Sequence, residues 1–112
     1  MFFSNEFNEK GKADCEKIGA YFTQMFSITP AIVECNYIFN DYVIEITENG
    51  NPVNKFIISP DISGNIDTIR VSGLSLNGYY NRFLNERKFL WLDVEDCERD
   101  GWGEYLEFSI ES

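Results

Sequence analysis

The sequence predicts an α+β fold: a mainly antiparallel sheet of about five or six strands, with an N-terminal helix and a second short helix packed on one side. Three observations carry this expectation. Two segments place apolar residues at helical spacing, several others alternate apolar and polar residues with period 2, and an Asn-Gly pair joins two of the alternating runs.

Residues 4 to 26 read as helix, in one or two pieces. Cys15, Ile18, Phe22, Met25 and Phe26 form one apolar stripe, while Asp14, Glu16, Lys17 and Gln24 face away. Gly11 is a point of weakness, and Pro30 ends the pattern because the residue before a proline is pushed out of the helical region. Phe2 and Phe3 are expected to staple this helix to the core. The chain then alternates. In AIVECNYIF, Ala31, Val33, Cys35, Tyr37 and Phe39 share a face, and Asn40-Asp41 signals a turn. In YVIEITE, Tyr42, Ile44 and Ile46 do the same. Asn49-Gly50 marks a tight hairpin, since both residues tolerate positive φ. VNKFIIS follows, with Phe56 and Ile58 on one face, completing an antiparallel meander that Pro60 stops. After SPDISGN come a short strand, IDTIRV, and a break at Ser72-Gly73. Residues 75 to 86 return to helical spacing, with Leu76, Tyr80, Phe83 and Leu84 on one face. KFLWLDV (88–94) and EYLEFSI (104–110) read as the last strands.

The chain has 112 residues, enough for one domain over 1–112 with its own core. It is 44 % hydrophobic and 16 % aromatic, which excludes the composition of a disordered chain. No apolar run approaches the roughly 18 residues that span a bilayer. The opening MFFSNEFNEKGK lacks the pattern of a signal peptide, so a cytoplasmic protein, with no membrane partner, is expected. Cys15, Cys35 and Cys97 are odd in number and without CxxC spacing, which argues for free buried thiols rather than a disulfide framework or zinc site.

There is no histidine. Ser-His and Cys-His nucleophiles and His-ligated metals are therefore excluded. Phosphate-binding loops, dinucleotide fingerprints and nucleophile elbows are absent too, and no carboxylate pair is singled out by spacing. The expectation is a protein without catalytic activity, cofactor or resident metal.

Charge is the informative feature. The net formal charge is −10, and Asp93 to Glu111 holds eight acidic residues against Arg99 alone, −7 of that total. The candidate binding residues are Asp93, Glu95, Asp96, Glu98, Asp100, Trp102, Glu104 and Glu107, on a terminal hairpin with Trp102 near its tip. Crowded like charges cost stability through self-repulsion. Charge steers encounter with a basic partner, and a Trp can anchor it. Two plainer readings stand beside this one: Trp102 folds onto the core, and the carboxylates only guard a sheet edge.

The profile suggests a small acidic inhibitor: a bacterial immunity protein or antitoxin that neutralises a basic, nuclease-type toxin through the hairpin. A monomer is favoured for such a protein, and direct binding to nucleic acid is disfavoured, since phosphates would be repelled. One alternative is a phage-encoded inhibitor that mimics nucleic-acid charge. Another is a calcium module, because Asp96, Glu98, Asp100, Gly101 and Glu107 follow the rhythm of an EF-hand loop over 96–107. That motif needs a helix on each side, and YLEFSI after the loop alternates like a strand. Tyr79-Tyr80 with Arg82, Arg87 and Lys88 is the one local basic-aromatic cluster; the expectation is that its tyrosines pack and its bases offset the hairpin.

Overall fold

Period-2 alternation and tight turns build most of the molecule. The computed structural model describes residues 5–25, 31–89, 92–100, 102 and 104–111, with side chains from Ala13 onward except Met25. Phe2, Phe3, Phe26, Pro30 and Gly101, to which the sequence assigns roles, lie outside the described residues. The elements run α1 (Asn5–Met25), β1 (Ala31–Ile38), β2 (Asp41–Glu48), β3 (Asn51–Pro60), β4 (Ile66–Gly73), α2 (Leu76–Glu86), β5 (Lys88–Phe89), β6 (Leu92–Arg99) and β7 (Tyr105–Ile110). α1 is continuous over 21 residues, so Gly11 does not divide it.

β1 to β4 form a meander. Phe39 and Asn40 take positive φ in the first turn, one residue earlier than the Asn40-Asp41 signal implies; Asp41 is already in β2, opposite Ile38. Asn49 and Gly50 turn as expected, with φ of 54° and 77°. The chain then crosses through α2 to the far edge, and β5, β6 and β7 meander back. The sheet order is β1-β2-β3-β4-β7-β6-β5, with every pair antiparallel. Seven strands replace the expected five or six because KFLWLDV is not one strand. Lys88 pairs with Asp93 and Phe89 with Leu92, so the run doubles back on itself. One edge, β1, is eight residues long; the other, β5, is two.

Both helices lie on one face. Tyr42, Ile44, Ile46, Phe56, Ile58, Ile69, Val71, Leu106, Phe108 and Ile110 point toward them and are buried. The contacts are aromatic. Phe22 of α1 lies 4.8 Å from Phe56, Phe56 lies 6.1 Å from Phe89, and Phe89 stacks on Phe108 at 4.1 Å and 8°. Phe83 of α2 meets Phe108 edge-on at 6.2 Å. The buried side of α2 differs from the expected one: Leu84 is exposed, and Tyr79 turns in against Phe56 and Phe89 instead. Among the described residues, no helix is long and apolar enough to cross a membrane.

The join between β4 and α2 is tightly built. Buried Asn54 donates to the carbonyls of Ser72 and Leu74 at 3.2 and 2.6 Å. Gly73 sits at φ 106°, where an added Cβ would lie 2.2 Å from the Val53 carbonyl oxygen. Replacing Gly73 with Ala is expected to cost more than about 2 kcal/mol in urea unfolding, because both backbone angle and space forbid the methyl. Gly78→Ala, inside α2 with open space around it, should instead gain about 0.5–1 kcal/mol.

Tyr42 supplies a pH signature. Its hydroxyl donates to Asp14 Oδ2 at 2.7 Å, tying α1 to β2. Burial first, then the Asp14 carboxylate, push its pKa well above the usual 10. A raised folded value means its contribution is complete below pH 10 and lost as pH rises through the folded pKa. Alkaline unfolding followed by circular dichroism should therefore be less steep above pH 10 in Tyr42→Phe than in the wild type.

Candidate acidic hairpin interface

The acidic segment is a strand–turn–strand unit, not a loop. β6 and β7 pair through Val94↔Ile110, Asp96↔Ser109, Cys97↔Phe108, Glu98↔Glu107 and Arg99↔Leu106. Residues directly opposite each other point to the same side of a sheet. Phe108 and Ile110 face the helices, so Val94 and Cys97 do also. Asp96, Glu98 and Glu107 therefore face the side of the sheet away from the helices. Asp93 joins them, since it lies opposite Lys88 and next to Leu92, the partner of buried Phe89.

A bulge makes this possible. The register shifts between Val94 and Asp96, leaving Glu95 as the extra residue. A regular strand would put Val94 and Asp96 on the same side; the bulge separates them. Arg87 holds the bulge by donating to the Glu95 carbonyl at 2.9 Å, while its guanidinium lies 4.6 Å over the Phe83 ring.

The turn closes locally. Asp100 donates its backbone N–H to the Tyr105 carbonyl at 3.2 Å, and its Oδ1 accepts the Glu104 N–H at 2.6 Å. Glu104 is exposed, and Trp102 is 91 % exposed, so it does not fold back onto the core. The eight candidate residues thus fall into three places: Asp93, Asp96, Glu98 and Glu107 on the open face, Glu95 at the bulge, and Asp100, Trp102 and Glu104 in the turn.

Lys88 was expected to offset the hairpin, but Arg70 was not visible in the sequence, because cross-strand register is not. Arg70 of β4 reaches Glu107 at 3.2 Å and stacks over the Tyr105 ring at 4.6 Å. Lys88 pairs with Asp93 at 3.2 Å. These contacts are exposed and each is worth little. Asp96 and Glu98 form no ion pair among the described residues, and Glu98 sits directly opposite Glu107. The field reaches through the strand: burial, then Asp96 and Glu98, push the Cys97 thiol up to about 11, with Arg99 opposing.

The basic-aromatic cluster meets the expectation in part, since Arg87 and Lys88 reach the hairpin but Arg82 does not. Arg82 pairs with Glu86 at 2.9 Å, Lys88 and Arg87 serve the hairpin, and Tyr79 is in the core. Strands on both sides of the 96–107 span remove the helix–loop–helix geometry of an EF-hand. No three His, Cys, Asp or Glu residues converge as metal ligands among the described residues. A cleft of about 220 Å³ lies beside the β2–β3 bulge; its Glu45 and Lys55 are cross-strand partners that offset each other.

No family model, curated protein or solved structure matches this chain.

The facing carboxylates define a stability test. Like charges directly opposite on a sheet are destabilising, so Glu98→Gln should raise stability by about 0.2–1 kcal/mol in urea unfolding. The gain should shrink as salt is added, because exposed charges are screened.

Proposed function

We propose that this chain is a stoichiometric protein inhibitor of the immunity-protein or antitoxin type, which neutralises a basic, nuclease-type toxin through its β6–β7 hairpin. The observation that supports this reading is Trp102, 91 % exposed at the tip of a hairpin whose open face carries Asp93, Asp96, Glu98 and Glu107. A large aromatic left in water contributes nothing to this fold. In a partner's pocket it would bury its area and act as an anchor. The carboxylates would steer a basic surface toward it and set the orientation of docking. A surface that binds a nuclease at its phosphate site needs negative charge held in fixed places. A paired strand supplies that better than a free tail, since less conformational freedom is lost on binding.

Low-salt capture from host lysate, followed by calorimetry with the captured protein, tests this. The wild type should retain a basic protein whose affinity falls steeply with salt. Trp102→Ala should leave the melting temperature unchanged and weaken binding by about 2 kcal/mol or more. A double Asp96→Lys, Glu98→Lys variant should fold and lose capture. Equal capture by all three proteins would place binding on another surface and remove the hairpin assignment.

A further inference from the structure

Cys15 and Cys35 show no pairing signal in the sequence, but the fold brings them together. α1 packs along β1, and at Gly19 an added Cβ would lie 3.8 Å from the Cβ of Cys35. Cys15 is one helical turn before Gly19 and so shares its face. Both thiols are half-buried and pack at the same border of the core. They are close enough that Cys15 favours the protonated form of Cys35, whose pKa burial and this neighbour push up to about 12. Cys97 is on β6, five strand positions from β1, which at about 4.8 Å per strand is roughly 24 Å away. It cannot join the pair.

We propose that Cys15 and Cys35 form a redox-active dithiol, a modification site that reacts with a small-molecule disulfide of the glutathione-disulfide class and closes a reversible bond between α1 and the edge strand β1. The chemistry is thiol–disulfide exchange. The Cys15 thiolate attacks one sulfur of the small disulfide, breaking its S–S bond and expelling one thiolate, which takes up a proton. A mixed disulfide remains on Cys15. Cys35 then gives up its proton and attacks the Cys15 sulfur. The protein disulfide forms and the second small thiol leaves. Two protein thiols are oxidised and one disulfide is reduced to two thiols, so no other oxidant is needed. Cys35 holds its proton near neutral pH, which makes it the resolving partner rather than the first to attack.

The test uses the full chain, reduced and then incubated with glutathione disulfide under native conditions at pH 8. Intact mass and peptide mapping should show the loss of two hydrogens, one cross-linked peptide pair joining Cys15 to Cys35, and Cys97 outside the link. The melting temperature should rise by several degrees and return on adding dithiothreitol. Cys35→Ser should trap a stable mixed disulfide on Cys15, and Cys15→Ser should leave Cys35 unmodified. A wild-type protein that keeps glutathione adducts on Cys15 without closing the ring would overturn the proposal. So would a link through Cys97, or thiols that stay unreacted in the folded protein. Because the wild type alone decides these outcomes, the proposal stands or falls even if a serine variant does not fold.

Discussion

Everything in this fold hangs on a run of phenylalanine rings that links elements distant in sequence. Phe22, Phe56, Phe89, Phe108 and Phe83 come from α1, β3, β5, β7 and α2. Each ring buries a large apolar area, and adjacent rings at 4–6 Å add a further favourable term. Local hydrogen bonding forms the hairpins, but it does not say which hairpins lie side by side. The rings do. Phe89 stacks face to face on Phe108, so the two-residue β5 is held in place at the edge although it has little ladder of its own. The far edge can be short because its hold is aromatic.

That constraint also fixes the acidic hairpin. β7 sits between β4 and β6, with partners on both sides and three buried side chains beneath. The carboxylates on its outer face and on β6 are therefore displayed from a stiff platform. Arg70 offsets Glu107 and Lys88 offsets Asp93, while Asp96 and Glu98 form no ion pair among the described residues and Glu98 sits directly opposite Glu107. A sheet selected only for stability would not retain that juxtaposition. The platform carries its charge at the expense of its own stability, a cost that the proposed inhibitor role would account for.

Much of this was legible in the sequence, and what was not has physical reasons. Both helices and the β1–β3 meander followed from periodicity and the Asn49-Gly50 turn. β5 and β6 merged in the reading because Phe89, Leu90, Trp91 and Leu92 are all apolar, with no Gly, Pro, Asn or Asp to mark the reversal. The open-face grouping of Asp93, Asp96 and Glu98 was hidden by the Glu95 bulge, which changes the phase of the strand midway and makes Val94 and Cys97 resemble a helical pair. Trp102 had two plausible destinations, and only tertiary placement chooses between them. The Arg70–Glu107 pair and the Cys15–Cys35 neighbourhood depend on register and helix docking. Neither leaves a mark in one sequence.

The unequal edges of the sheet give the molecule a direction in which it is vulnerable. The β5 side ends in two residues and offers almost no backbone template. The β1 side runs for eight, with Ile32 and Ile38 exposed on the face away from the helices and Glu34 as its only charge. Strands of this kind recruit other strands, and natural proteins blunt them with charge or cover. Here α1 is the cover. Heat that loosens α1 would uncover a template for amyloid-like growth at one side only, with Glu34 as the only charge along that strand. Protection of this edge thus rests on how firmly the first helix stays docked, because most of the negative charge resides at the opposite margin.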